Sequence, residues 1–155
     1  MDLEYFEDYI EVAIKGKIYL VDKEYGLLFE HFEWYIGHNG YLQTKNNGKV
    51  LRYHSMIMDC PRGMVVDHIN RNPYDNRKSN LRVCTQESNS RNKGPLKGKY
   101  KGVSWAEHTK RYRATVRFNG KQKHLGYYET EEEAAKAYNN FVEDNFDQYA
   151  YRNNI

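Results

Sequence analysis

A chain of 155 residues with 39% hydrophobic residues and a formal charge of +3 has too little apolar material for one large core, so one domain or two small ones are expected. A mean hydropathy of −0.98, with no apolar run near the roughly 20 residues a helical span needs, leaves no candidate for a membrane-spanning helix. The acidic start Met1-Asp2-Leu3-Glu4-Tyr5 lacks signal-peptide form, and Cys60 and Cys84 make no C-x-x-C pair, which argues against a disulfide framework or a zinc ribbon; a cytoplasmic location is expected.

From the N-terminus, Tyr9–Ile14 and residues 17–21 alternate as strands around Lys15-Gly16. Residues 25–36 read as a short helix leading into a strand near Trp34. Residues 40–43 and 50–58 read as extended, with Asn46-Asn47-Gly48 as the turn between them. Residues 1–40 hold nine acids against three lysines, so residues 1–50 read as a strand-rich scaffold segment rather than an additional polyanion contact. His54, in Leu-Arg-Tyr-His-Ser-Met-Ile-Met, reads equally as a phosphate contact and as a packing residue.

The next stretch carries chemistry: Asp67-His68-Ile69-Asn70, then Asp75-Asn76-Arg77-Lys78-Ser79-Asn80-Leu81-Arg82, then Asn89 and Asn92. A carboxylate and an amide oxygen suit a hard divalent cation, and an imidazole can take a proton from water near neutral pH. Together they supply what one-metal phosphodiester cleavage requires. Each piece alone has a plain reading. Asp75 and Asn76 read as turn chemistry only, and Asn80 serves equally well as a loop-closing residue. The joint pattern is far more specific than any one short motif.

These residues resemble the HNH endonuclease family, in the form where asparagine replaces the final histidine. The resemblance implies a ββα-metal module over residues 51–93, with strands at 64–68 and 81–83 and a helix at 86–93 that starts from Thr85 as N-cap. It implies Asp67 and Asn89 as metal ligands, His68 as general base and Asn80 as the residue that orients the loop and the imidazole. Asn92, three residues further along the helix, shares the face of Asn89 and is the substitute ligand. The implied ion is Mg²⁺, with Mn²⁺ as an alternative. Where the family often has His-Arg, this chain has His54-Ser55, so an arginine contact to phosphate falls to Arg52 or Arg62.

The linker, residues 94–99, is Gly-Pro-Leu-Lys-Gly-Lys, in which Gly94 and Pro95 break the preceding helix. Residues 91–124 hold eleven basic residues against the single acid Glu107, the electrostatic footprint of a nucleic-acid partner. In Arg111-Tyr112-Arg113-Ala114-Thr115-Val116-Arg117-Phe118 the basic and apolar residues alternate, which places a basic stripe on one face of a strand and core residues on the other. Asn119-Gly120 predicts a hairpin into Lys121–Tyr128, and residues 100–105 read as a shorter upstream strand. Thr130-Glu131-Glu132-Glu133 is a capping box. Ala134, Tyr138, Phe141, Val142 and Phe146 follow at helical spacing.

The runs Tyr-Lys-Gly-Val-Ser-Trp, Arg-Tyr-Arg-Ala-Thr-Val-Arg-Phe-Asn-Gly-Lys and Leu-Gly-Tyr-Tyr-Glu-Thr-Glu-Glu-Glu-Ala-Ala-Lys-Ala-Tyr resemble the APETALA2-type (ethylene-response-factor) DNA-binding domain. The resemblance implies that residues 100–155 form a three-stranded antiparallel sheet on one helix. It places Lys101, Ser104, Arg111, Arg113, Thr115, Arg117, Gln122 and His124 at the DNA, with Trp105 at a loop of variable length. Ser104, Gln122 and His124 stand where plant members often have arginine or tryptophan, so base preference does not carry over.

The combined expectation is an α+β chain with a nuclease module and a small DNA-binding domain. It resembles phage or intron-associated homing enzymes acting in a phage-infected or bacterial cell. Double-stranded DNA is the expected partner, no membrane is involved, and monomer and homodimer both stay open. One such site cuts one strand, so nicking is expected. The alternative is a non-catalytic DNA-binding regulator on a degenerate nuclease fold. An RNA-binding module fits less well, because the aromatic residues of the predicted sheet mostly face its core.

Overall fold

In the computed structural model, which describes residues 1–155, the chain opens with β1 (Asp2–Tyr5), β2 (Tyr9–Ile14) and β3 (Lys17–Asp22), an antiparallel sheet in the order β1-β2-β3. A single 3₁₀ turn, Lys23–Tyr25, and the short helix α1 (Leu28–His31) lead to β4 (Tyr35–Ile36). β4 pairs with β5 (Leu42–Asn46), and β5 with β6 (Lys49–Arg52). Helix α2 (Tyr53–Ile57) follows, then β7 (Val65–His68), a 3₁₀ turn at Lys78–Asn80, β8 (Leu81–Cys84) and α3 (Gln86–Asn92). The second half holds β9 (Val103–Ala106), β10 (Arg111–Phe118), β11 (Lys121–Tyr128) and α4 (Glu131–Asn145). The chain divides into two compact units, Met1–Asn89 and Ser90–Ile155.

Three two-residue turns fix the register of the long hairpins. Lys15-Gly16, Asn47-Gly48 and Asn119-Gly120 each have positive φ at both positions, between 48° and 76°. That conformation matches the twist of the flanking strands, which explains the Xaa-Gly pattern.

Two expectations for the first unit change. β1 is a strand that the sequence reading did not separate from the acidic N-terminus. Residues 53–57 form a helix rather than the tail of an extended segment, because Tyr53, His54 and Ile57 are all buried. A strand would send Tyr53 and His54 to opposite faces, whereas adjacent and i+4 positions share one side of a helix. The core runs from Ile10, Val12, Tyr19 and Val21 through Phe29, Trp34 and Leu42 to Tyr53, Ile57, Val66 and Leu81. Phe29, Trp34 and Tyr53 meet pairwise at ring separations of 5.3–5.5 Å. Pairs of this kind add about 0.5–1.5 kcal/mol each beyond their burial. The first 50 residues and the segment that carries Asp67 thus share one apolar interior.

In the second unit the sheet order is β11-β10-β9. The Thr130 hydroxyl accepts from Glu133 N at 3.2 Å and the Glu133 carboxylate accepts from Thr130 N at 3.2 Å, the predicted capping box. α4 buries Ala134, Ala135, Tyr138 and Val142 against the sheet face that carries Val116. Phe146 is the C-cap of α4 and packs on Phe118 and Phe141. The upstream strand starts at Val103 instead of residue 100, since Gly102 turns with φ +79°. A Cβ there would lie 2.5 Å from Thr115 O and 2.3 Å from the Tyr138 ring.

Candidate active site

β7 and β8 pair antiparallel with Asp67 opposite Arg82 and His68 opposite Leu81. Consecutive strand residues point to opposite faces, so Asp67 and His68 enter different surroundings. The Asp67 carboxylate accepts from Arg82 Nε at 3.0 Å and from Nη2 at 2.9 Å, both on Oδ2. Both Asp67 and His68 are buried.

His68 is held by Asn76, not by Asn80. The His68 Nε2 and Asn76 Oδ1 are 3.1 Å apart, and Asn76 Nδ2 donates to Pro73 O at 3.2 Å. The second bond turns the amide oxygen toward the ring, so Nε2–H donates and Nδ1 is the nitrogen that carries the lone pair. Asn76 is fully buried. Its role was not visible in Asp-Asn-Arg, where an asparagine looks like any turn residue.

Asn80 builds the loop. Its Oδ1 accepts from Asn70 N at 3.0 Å, and its Nδ2 donates to Asn70 Oδ1 at 3.0 Å and to Asp75 O at 2.8 Å. Asp75 takes Arg77 in a two-point fork, with Nε and Nη2 each at 2.8 Å, and receives Asn70 Nδ2 at 3.2 Å. The Arg77 hydrogen bonds hold the Asp75 carboxyl below the usual carboxylate range. The loop is anchored from β3: Leu20 N donates to Tyr74 O and Asn76 N to Leu20 O, both at 2.8 Å, and the Asp22 carboxylate accepts from Lys78 N at 2.7 Å. The strand-rich N-terminal segment therefore braces the loop that holds Asn76 against the imidazole.

The His68 ring lies in an aromatic box. Tyr41 stacks on it at 5.9 Å and 13°, and His54 meets it edge-on at 5.0 Å and 82°. Tyr41 also meets His54 at 5.0 Å, and the Arg52 guanidinium lies 5.4 Å from the Tyr41 ring. His54 is buried and its Nδ1 has no hydrogen-bond partner. Burial, with His68 and Arg52 nearby, pushes the His54 imidazole down to about 3. Burial also lowers His68, while the Asn76 bond and the charges of Asp67 and Asp75 pull it partly back.

α3 starts from the expected cap: the Thr85 hydroxyl accepts from Ser88 N at 3.1 Å, and Asn89 N donates to Thr85 O at 3.0 Å. Asn89 is half-buried on this helix and Asn92 is fully buried. Asp67, Asn89 and Asn92 each carry a side-chain oxygen, the donor type that a hard, partly hydrated ion takes. No group of three or more His, Cys, Asp or Glu side chains gathers anywhere, so no closed protein cage of the zinc type is built.

The basic residues of the second unit separate into two sets. Arg113 lies opposite Ser104 on one side and Tyr127 on the other, Thr115 opposite His124, and Arg117 opposite Gln122. With Arg111 these form one face, on which Ser104, Arg111, Arg117, Gln122 and His124 are exposed and Arg113 and Thr115 half-buried. Lys101 does not join them. Its ammonium donates to Arg91 O at 2.7 Å and to Ser90 O at 3.1 Å, and it also meets Lys93 O, at the C-terminal end of α3. Trp105 pairs with Tyr112 on the opposite face.

Residues 59–91 match the family described as HNH endonuclease, a span that contains Asp67, His68, Asn76, Asn80 and Asn89. The chain is 33% identical over 146 residues to a protein described as an uncharacterized HNH endonuclease of Acanthamoeba polyphaga mimivirus, covering 91% of this chain and 77% of that one. It is 37% identical over 65 residues to Protein 3.8 of Escherichia phage T7, covering 40% of this chain and 54% of that protein. No solved structure matches. No helix is long and apolar enough to cross a membrane.

Proposed function

The chain belongs to the HNH endonuclease family, and from that premise we propose that it is a homing-type DNA endonuclease that uses one divalent ion to nick one strand of a duplex. The observation that carries the reading is the His68–Asn76 bond inside a buried loop beside Asp67. A base for hydrolysis must be neutral and must aim one nitrogen at its proton. Burial shifts His68 toward its uncharged form, and the Asn76 oxygen favours Nε2 as the protonated nitrogen.

His68 Nδ1 then takes the proton of a water molecule, whose oxygen attacks phosphorus in line. The Asn80 and Asp75 networks hold the loop so that the ring keeps its direction while it is charged. Asp67 and Asn89 would hold the ion, with Asn92 as the substitute. An Mg²⁺ or Mn²⁺ ion held there would supply polarisation of the phosphate and stabilisation of the leaving oxygen. The second unit, read as an APETALA2-type domain, holds duplex DNA through Arg111, Arg113 and Arg117. Support for that reading is the order of three antiparallel strands backed by one helix, with the arginines on the face turned away from it.

One observation favours the alternative, a DNA-binding regulator with a silent nuclease site. The Asp67 oxygen that takes two Arg82 donors is already engaged by a cation. The two readings separate in a supercoiled-plasmid assay with Mg²⁺ or Mn²⁺, using plasmids that carry DNA of the source genome. Nicked product from the native chain and none from His68→Ala, with gel-shift binding retained, is expected. Binding without cleavage by either protein on every insert would support the regulator instead.

A further inference from the structure

The basic face of the β9–β11 sheet carries a row of rings that the arginine pattern does not account for. Tyr127 is 37% exposed on β11, directly opposite Arg113. The His124 ring lies 4.6 Å from it and the His108 ring 5.8 Å from it. The Tyr127 hydroxyl and His108 Nε2 are 3.3 Å apart. That hydroxyl donates to a neutral imidazole and accepts from a charged one. His108 and His124 are both exposed.

The surrounding charges favour an anion here. β10 presents Arg111, Arg113 and Arg117 on this face, and Arg113 Nη2 is satisfied within the sheet only by a 3.4 Å bond to Ser104 Oγ. Of the acids next to His108 and Tyr127 in the sequence, Glu107 is taken by Lys110 and by Trp105 Nε1, and Glu129 lies 4.0 Å from Arg111. α4 packs on the other face, and Lys123 is turned that way too, over the Phe141 ring. The rings therefore share their face with three arginines, and the Glu107 and Glu129 carboxylates each face a cation.

We propose that His108, Tyr127 and His124 form a proton-dependent DNA contact, in which the tyrosine ring packs on the nucleotide and the two imidazoles bind phosphate in their charged form. The proposal rests on the reading of this sheet as the duplex-binding face. Neutral imidazole offers one N–H donor, whereas imidazolium offers two and a full charge. A polyanion against these rings favours the charged form, so binding takes up protons. Imidazole is the side chain whose charge changes between about pH 5 and pH 8, which makes the grip of this face tighten on acidification in a range where the arginines do not change.

The test uses the full chain, a mixed-sequence DNA duplex and a chelator that prevents cleavage, with affinity measured against salt at about pH 8 and about pH 5.5. Each phosphate met by a new cation steepens the salt dependence by about 0.9, so a slope steeper by roughly 2 and binding about tenfold tighter at the lower pH are expected. His108→Gln with His124→Gln keeps size and hydrogen-bonding capacity but cannot charge, and should lose most of that pH effect. Tyr127→Ala should weaken binding at both pH values. Retention of the native pH effect in the double glutamine variant overturns the proposal while leaving the sheet reading intact, provided Arg113→Ala with Arg117→Ala still weakens binding. If the arginine variant binds like the native chain, the sheet reading itself fails.

Discussion

The loop around His68 and the basic face of the second unit both use polar side chains for their expected work, but in opposite physical settings. Around His68 every amide is spent inside the protein: Asn70, Asn76 and Asn80 bond to the loop, to one another or to the imidazole. On the sheet the arginines and histidines stand on an exposed or half-exposed surface and meet few partners. The difference matches what each proposed task would demand. A proton acceptor needs one fixed direction and a neutral resting state, which burial and hydrogen bonds supply. A grip on a polyanion gains from charge that is still hydrated and ready to displace counterions.

The sharpest way to break that contrast is at Asn76. Asn76→Ala removes the acceptor for His68 Nε2–H, the bond to which the direction of the ring is assigned. Cleavage should fall by about 10²-fold, within the range that general-base catalysis commonly contributes. DNA affinity should be unchanged, because no residue of the basic sheet face is touched. Asn80→Ala provides the matched control. It strips three hydrogen bonds from the loop and should lower unfolding free energy by about 1–3 kcal/mol, the cost of buried groups left unpaired. If Asn76→Ala cleaves at the native rate while remaining folded, the orienting role assigned to it is gone.

Which parts were legible in the sequence follows the same division. The hairpins were readable from Asn-Gly and Lys-Gly pairs, and α4 from its capping box and apolar spacing, because those signals are local. Arginine alternation over residues 111–117 was readable for the same reason. Asn76 was not. Its burial depends on the Leu20 bridge to the loop, more than 50 residues away in the chain, and nothing in Asp-Asn-Arg announces a partner at that distance. The helix at Tyr53–Ile57 was missed because five residues carry too little periodicity to outweigh an extended reading. Lys101 looked like another cation of the basic block, yet it terminates a helix by binding carbonyl oxygens, a use that charge counting cannot distinguish.

A pH titration of stability sharpens the comparison further. His54 has its folded value pushed down to about 3, so between that value and the ordinary imidazole value near 6.5 the unfolded chain binds a proton that the folded chain refuses. Its contribution is fully present above about pH 6.5 and is lost as pH falls below it. Unfolding free energy should decline by up to about 1.4 kcal/mol per pH unit through this window on account of His54 alone. His54→Gln should show a shallower decline in urea titrations between about pH 6 and pH 4. An identical decline in native and variant chains would mean that His54 is not held neutral by burial.

The smallest effect is expected at Arg117, and its smallness is informative. Its side chain is exposed on β10, opposite Gln122, with no ion pair. Removing it costs the fold almost nothing, since surface substitutions without buried partners stay within about 0.5 kcal/mol. Arg117→Ala should leave thermal unfolding where it was, lower affinity for duplex DNA modestly, and flatten the salt dependence by about 0.9, the loss of a single phosphate contact. Cleavage at saturating DNA should be untouched, because the His68 loop keeps every bond it has. A variant that loses stability but keeps the native salt slope would place Arg117 among the structural residues and end the opposition between a spent interior and an unspent face.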